Sequence, residues 1–162
     1  MKLQIESYDD ALDFIHQVYK DPQMDQFDYE DCPPPNDIAL AAALKVLEAG
    51  SLAGVLPDHV GVDCEGGLVL FYWRGANYVM VGCDNDGDIC LSWSDEQMSE
   101  DFKARIAGLG SAWCWSPESL VPGDSEIGAS HTPLPELMAL TAKKVRERQE
   151  QHERWAREHE DN

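Results

Sequence analysis

The sequence has few basic residues and no long apolar run. Of its 162 residues, 12 are Lys or Arg and 31 are Asp or Glu, so the formal net charge is -19 at pH 7. A chain this acidic repels nucleic acid and anionic membranes, and direct binding to either is not expected. No apolar run approaches the roughly 20 residues that cross a bilayer. Its start, MKLQIESYDD, does not resemble a signal peptide. These absences predict a cytoplasmic protein.

Common catalytic and cofactor motifs are also missing. The chain has no phosphate-binding loop, dinucleotide fingerprint, H-E-x-x-H metal motif or nucleophile elbow. Its five cysteines form no C-x-x-C pair, and their odd number argues against a set of structural disulfides. We expect reduced thiols that pack as small apolar side chains. The sequence therefore predicts neither a cofactor nor a bound metal.

The negative charge is unevenly distributed along the chain. Residues 1–132 carry 24 acidic and 6 basic residues, whereas residues 133–162 carry 7 and 6. Between Glu6 and Asp37, ten acidic residues accompany a single base, Lys20. This concentration favours a partner with a basic surface, while general solubility or a salt-rich habitat are the alternatives.

Four segments have the periodicity of helices. The first begins after Ser7 and the second after Asn36, two residue types that cap helix N-termini, and Gly50 is placed to end the second. A third helix is predicted at 94–110, and a fourth, from Pro135, is apolar only in its first turns. The second helix is rich in Ala and Leu, so we expect it to be the most buried.

Between the second and third helices the pattern alternates as it does in strands. Four short runs, HVGVDCE, LVLFYWR, NYVMVGC and DICLSWS, are separated by short turn segments that contain glycine. The predicted fold class is α+β: an antiparallel four-stranded meander packed against two or three helices, with a long charged C-terminal helix. We predict an acidic domain at 1–132, a C-terminal helical arm at 133–162, and an irregular connection over 111–135.

The turn between the last two predicted strands has some features of a calcium loop. Asp84, Asp86 and Asp88 match oxygen ligands 1, 3 and 5 of an EF-hand loop, which also needs glycine at position 6 and glutamate at position 12. Here position 6 is Ile89, position 12 is Asp95, and the glycine comes at position 4. The flanks are strands rather than helices. The stretch therefore predicts a hairpin turn rather than a metal site.

One loop contains residue types suited to nucleophilic catalysis. Cys114 or Ser111 could meet His131 in space and form an activated pair. Because Trp113 and Trp115 flank the cysteine, we expect it to be packed among apolar groups instead. We predict no catalytic residue, and an enzyme that uses this loop is the alternative.

A family resemblance covers the central part of the chain, residues 27–93. It is carried by Phe27-Asp28, the prolines at 33–35, and the segments IALAAALKVLEAG, LPDHVGVDCEGGLVLFYW and DNDGDICLSW. Together these resemble a group of small bacterial proteins of unknown function that occur near toxin–antitoxin or phage-derived genes. Cys64-Glu65 stands where those proteins have an acidic or polar pair. The resemblance implies a genomic neighbourhood of conflict systems and carries no catalytic motif.

These observations predict a non-enzymatic acidic binding protein. It would neutralise a basic partner that handles nucleic acid, such as a nuclease, as an inhibitor, an immunity or anti-defence factor, or a nucleic-acid mimic. A further alternative is an assembly module whose last helix pairs with another chain through Val145 and Trp155. The residues predicted to contact the partner are Asp9, Asp10, Asp13, Asp21, Asp25, Asp28, Glu30 and Asp31.

Overall fold

Three helices and five strands make up the described part of the chain. The structure, a computed structural model, describes residues 4–22, 33–63, 66–74, 78–93, 112–115 and 133–159. The helices are α1 (Tyr8–Lys20), α2 (Asp37–Leu52) and α3 (Leu134–His159). The strands are β1 (His59–Val62), β2 (Gly67–Trp73), β3 (Val79–Asp84), β4 (Ile89–Trp93) and β5 (Ala112–Trp115). The helix predicted at 94–110 lies outside the described residues.

The strands form one antiparallel sheet in the order β1-β2-β3-β4-β5. Each strand pairs with its neighbour in sequence, as tight turns dictate. The predicted α+β class, the four-stranded meander and the C-terminal helix are confirmed. The fifth strand was not predicted, because Ala112–Trp115 falls within the stretch assigned to an irregular connection. It extends the sheet by pairing with β4.

The caps of the first two helices agree with the sequence. The Ser7 hydroxyl accepts a hydrogen bond from the Asp10 amide at 3.1 Å, and the Asn36 side chain accepts one from the Ala39 amide at 3.0 Å. Each bond satisfies an amide that has no partner within its helix. Both helices therefore begin where the capping residues predict.

The end of α2 corrects the predicted role of Gly50. The helix continues past Gly50 to Leu52, and Gly54 follows it with a φ of 86°. Gly50 is instead a packing position: a Cβ there would lie 3.1 Å from the Met138 side chain and 3.3 Å from the Tyr72 hydroxyl oxygen. The glycine permits close approach of α2 to α3 and to the sheet.

All three helices cover the same face of the sheet. α1 contacts β1, α2 contacts β2 and β3, and α3 contacts β2, β3 and β4. Alternate strand residues face this layer, as in β3, where Val79, Val81 and Cys83 are buried and their neighbours are half-buried. The core forms between the sheet and the helices. Its largest fully buried side chains are Ile15, Val18, Val46, Leu47, Val60, Leu68, Leu70, Val79, Ile89, Leu91, Leu137 and Met138.

The last helix, α3, has a buried first half and an exposed second half. Leu137, Met138 and Val145 belong to the main core, so the start of the predicted arm packs with the sheet. Beyond them Trp155 is 56% exposed and stacks on His159, with ring centroids 4.4 Å apart. The domain division at residue 132 stays a prediction. No described helix has the length and apolar character needed to cross a membrane.

Two glycines with positive φ, one after α2 and one at the start of β2, provide a matched test of the close approach of β2 to β3. Gly67 has a φ of 147°, and a Cβ there would lie 2.4 Å from the Cys83 carbonyl oxygen. Gly54 has a φ of 86° with no heavy atom within 4 Å of a Cβ. We expect Gly54→Ala to cost about 1–2 kcal/mol through its backbone alone, and Gly67→Ala to cost at least about 2 kcal/mol more through the clash.

Urea unfolding followed by tryptophan fluorescence measures both costs. Equal losses of unfolding free energy in the two variants would contradict the close approach of β2 to β3 at Gly67.

Candidate functional site

One end of the domain brings together turns that are far apart in sequence. Asn85, in the β3–β4 turn, accepts a hydrogen bond from the Asn36 amide at 2.8 Å through Oδ1, and its Nδ2 donates to the Pro34 carbonyl at 3.1 Å. The Asn36 side chain donates back to the Asn85 carbonyl at 3.1 Å. The Asn85 amide donates to the Gly66 carbonyl, also at 3.1 Å. Asn85 thus joins the start of α2, the proline run and the β1–β2 turn.

Acidic side chains surround this junction. Asp37 begins α2, Asp63 precedes the β1–β2 turn, and the β3–β4 turn contributes three carboxylates. These three carboxylates, of Asp84, Asp86 and Asp88, have oxygen atoms within 4.8 Å of one another. We call the set Asp37, Asp63, Asp84, Asp86 and Asp88 the acidic end.

The C-terminus of α1 is tied to the acidic end. The Tyr19 hydroxyl donates a hydrogen bond to the Asp37 carboxylate. This bond, with desolvation and the negative charge of Asp37, raises the pKa of Tyr19 above its usual value. Asp21, two residues after Tyr19, is the C-cap of α1 and is exposed. Of the predicted contact residues, Asp21 is therefore the one that the described structure brings to this end.

The other predicted residues of α1 lie further away or have another role. Asp9 and Asp13 are exposed on α1, and Asp9 lies about 18 Å along the helix axis from Asp21, twelve residues later. Asp10 is half-buried, and its carboxylate accepts a hydrogen bond from the Glu6 amide at 3.1 Å. This carboxylate stabilises the helix start. The remaining predicted contacts, Asp25, Asp28, Glu30 and Asp31, lie outside the described residues.

Sequence reasoning did not single out Asp37 or Asp63 as members of a site. They are far apart in the chain, and what unites them is the hydrogen bonding of Asn36 to Asn85. The only available signal was the assignment of Asn36 as a helix cap. That assignment predicts a helix start, but it does not predict which turn packs against it.

The β3–β4 turn confirms the predicted hairpin. The Asp84 amide donates to the Asp88 carbonyl at 2.9 Å, the Gly87 amide donates to the Asp84 carbonyl at 3.0 Å, and Gly87 has a φ of 95°. Carboxylate oxygens are the ligands that hard divalent cations prefer, so this turn has the donor type for such an ion. The turn brings three negatively charged side chains close together.

The residues proposed for catalysis are only partly described. Cys114 lies in β5, where its register partner is Cys90. Ser111 and His131 lie outside the described residues. Cys83 is fully buried in the core, and burial raises the pKa of its thiol well above the usual value, so it matches the expected small apolar side chain.

A cavity of about 340 Å³ lies at the opposite end of the sheet, where β1 begins. Its walls are mostly apolar and include Tyr72, whose buried hydroxyl has no hydrogen-bond partner among the described residues. Asp58 lies at the rim of the cavity, where its Oδ1 is 3.4 Å from Arg74 Nε. Desolvation raises the pKa of Asp58, and the positive charge of Arg74 partly opposes this shift. The size is at the lower limit for small-molecule sites.

Comparison with known proteins adds no relative. No protein-family model, no curated protein and no solved structure matched this chain. The resemblance of residues 27–93 to small bacterial proteins therefore stays a prediction.

The junction at Asn85 can be tested by truncation. Asn85→Ala removes the acceptor for the Asn36 amide and the donor for the Pro34 carbonyl, so we expect a loss of about 1–3 kcal/mol in unfolding free energy. Asp86→Ala is the control in the same turn, because it removes one exposed bond to the Asp88 amide. Its effect should stay within about 0.5 kcal/mol. Equal losses in urea unfolding would rule out Asn85 as the anchor of the turn.

The buried hydroxyl of Tyr72 predicts an unusual pH dependence. Burial raises the pKa of Tyr72 well above its usual value, so its proton is lost more readily in the unfolded chain. This contribution to stability is complete below pH 10 and declines above it. Tyr72→Phe should be as stable as the parent at pH 7, or more stable by about 1 kcal/mol, because no hydrogen bond is lost.

Unfolding by urea between pH 8 and pH 11 tests this difference. Above pH 10 the parent should lose stability more steeply than Tyr72→Phe. Parallel curves would contradict the burial of the hydroxyl. A clear loss of stability in the variant at pH 7 would contradict the absence of a hydrogen-bond partner among the described residues.

Proposed function

We propose that the protein is a non-enzymatic acidic binding protein that neutralises a basic, nucleic-acid-handling partner. The observation that carries the proposal is the acidic end, where three carboxylates lie within 4.8 Å of one another on a hydrogen-bonded turn. Duplex nucleic acid presents about one negative charge per 1.7 Å of its axis. A surface with closely spaced carboxylates can occupy a site that evolved for phosphates.

Rigid presentation of the charges supports this function. Side chains that are already fixed lose less conformational entropy when they bind. The Asn85 bonds fix the β3–β4 turn to α2, and the Tyr19–Asp37 bond fixes the end of α1 to the same place. The acidic end is therefore prepared for a partner rather than assembled by it.

The net charge of -19 supports the same interpretation at long range. Opposite charges accelerate the encounter of two proteins, and this acceleration falls as salt screens exposed charges beyond about 8 Å at physiological ionic strength.

The proposed contact surface consists of the acidic end together with Asp21 and the exposed Asp9 and Asp13 of α1. We further propose that the 23–32 segment adds Asp25, Asp28, Glu30 and Asp31. Pro33, which follows this segment, lies beside Gly66 of the β1–β2 turn.

The assembly-module alternative has weaker support. Val145, one of its two predicted contacts, is 6% exposed and is part of the protein's own core. Trp155 remains exposed, but it already stacks on His159.

The proposed role as inhibitor, immunity or anti-defence factor in a bacterial cytoplasm follows from the basic partner and from the resemblance to proteins near toxin–antitoxin or phage-derived genes.

A charge-matched pair of variants tests the proposal. The first changes Asp84, Asp86 and Asp88 to Asn, and the second changes Glu150, Glu153 and Glu158, exposed on α3, to Gln. Each removes three negative charges. We expect the protein to capture a basic protein from host lysate at 50 mM NaCl, and duplex DNA or RNA to release it. Binding should weaken about tenfold or more at 300 mM NaCl.

The variants separate local from general electrostatics. The turn variant should bind the captured protein at least about tenfold more weakly than the α3 variant, because only the turn is proposed to contact the partner. Affinity that does not change with salt, or equal weakening in both variants, would defeat the proposal. Adding Asp9→Asn and Asp13→Asn to the turn variant measures how far the contact extends along α1.

A further inference from the structure

The cavity at the end of the sheet where β1 begins has the composition of a small-molecule site. Its volume is about 340 Å³, and such sites start at about 300 Å³. Residues from β2, from α3 and from the chain that follows α2 line it. Small-molecule sites combine a mainly apolar wall with a few polar groups that orient the ligand. The apolar wall of this cavity consists of Val55, Leu56, Trp73, Ala142 and Val145.

Tyr72 provides a polar group in the wall of the cavity. Only 3% of this residue is exposed, and its buried hydroxyl has no hydrogen-bond partner among the described residues. A Cβ built on Gly50 would lie 3.3 Å from the hydroxyl oxygen, so this oxygen lies beside the last turn of α2. Gly54 and Val55, which follow that turn, line the cavity together with Tyr72. Since the buried hydroxyl has lost its hydrogen bonds to water, a ligand that supplies a partner gains affinity from it.

Arg146 provides a positive charge in the cavity wall. It lies in α3 between Ala142 and Gln149, and all three residues line the cavity. Residues three or four positions apart share one face of a helix. The Arg146 side chain is exposed, and its guanidinium forms no ion pair within the described part of the chain. A guanidinium binds a carboxylate through two parallel N–H···O bonds, which a cationic ligand cannot accept.

The acidic residue of the cavity wall already has a partner. Asp58 forms an ion pair with Arg74, and the two charges offset each other. The charge of Arg146 is therefore not balanced by another residue of the wall. The protein as a whole carries a net charge of -19, but salt screens exposed charges beyond about 8 Å at physiological ionic strength. The nearby guanidinium therefore decides which charge the cavity favours.

We propose that this cavity binds a small aromatic carboxylate. In the bound state the ring packs against the apolar wall, where Trp73 supplies an aromatic partner. The carboxylate accepts hydrogen bonds from the Arg146 guanidinium, and a hydroxyl group on the ring is the hydrogen-bond partner of Tyr72. Each part of the ligand thus meets a group of matching chemistry in the cavity.

This binding function is separate from the proposed neutralisation of a basic partner. The residues that line the cavity include none of the acidic end, which lies at the opposite end of the sheet. Either proposal can fail without the other.

Three related ligands test the proposal with the full-length protein. They are para-hydroxyphenylacetate, phenylacetate, which lacks the hydroxyl, and tyramine, which has an aminomethyl group in place of the carboxyl group. Proton–nitrogen correlation spectra of the isotope-labelled protein at physiological ionic strength measure both affinity and location. We expect para-hydroxyphenylacetate to cause saturable shifts of the Gly54, Val55 and Arg146 amide signals, and no shift of the Asp86 and Gly87 signals.

The order of affinities separates the Arg146 contact from general electrostatics. Because a charge-assisted hydrogen bond forms only with the carboxylate, para-hydroxyphenylacetate should bind at least about tenfold more tightly than tyramine. The net charge of the protein attracts cations, so non-specific binding predicts the reverse order.

Single variants assign the two polar contacts. Arg146→Gln should weaken para-hydroxyphenylacetate at least about tenfold. Arg154→Gln removes the same charge from an exposed position further along α3 and should leave the affinity unchanged. Tyr72→Phe should weaken para-hydroxyphenylacetate about threefold or more and leave phenylacetate unchanged, because phenylacetate has no hydroxyl to bond.

Four results would overturn the proposal. They are the absence of saturable shifts with millimolar para-hydroxyphenylacetate, shifts centred on the acidic end, tyramine binding as tightly as the acid, and equal weakening by the two arginine variants. Equal weakening of both acids by Tyr72→Phe would show that the hydroxyl contact is wrong.

Discussion

The fold depends on burial of one face of the sheet. Alternate residues of an antiparallel strand point to opposite faces, and here the three described helices cover the same face. The main core therefore forms one layer between the sheet and the helices, which extends from Ile15 of α1 to Met138 of α3. Charged groups must then occupy the helix surfaces, the outer face and the two ends where strands turn. This constraint brings acidic turn residues together without any attraction between them.

Concentrated like charges cost stability, and directed hydrogen bonds offset that cost at the acidic end. The Asn85 amide group bonds to the start of α2 and to the proline run, and neither bond involves a carboxylate. Asn85 can therefore hold the turn in place whatever the charge state of its neighbours. The Tyr19 hydroxyl acts similarly, because it donates a hydrogen bond to the Asp37 carboxylate and so fixes its position. Neutral donors give the acidic end its shape, and the acids give it its charge.

Local sequence patterns predicted the helices and strands better than they predicted the contacts between them. Ser7 and Asn36 mark helix starts because capping is a short-range interaction, and the hairpin acids mark a turn because Gly87 supplies the positive φ. The predicted helix end at Gly50 was wrong because glycine is found both at helix ends and at close contacts between elements. The contact of Gly50 with Met138 depends on α3, which comes much later in the chain. The acidic end escaped prediction for the same reason, since the Asn36–Asn85 bonds are long-range.

The sequence did not predict strand β5, and there are two physical reasons for this. Four residues are too few for an alternation pattern to be distinctive, and their place at the sheet edge depends on the neighbour rather than on propensity. Once β5 pairs with β4, β5 replaces β4 as the edge strand on that side of the sheet. An edge strand exposes unpaired backbone groups to other chains. Anything that strengthens or weakens the β4–β5 pairing therefore changes which strand is exposed at this edge of the sheet.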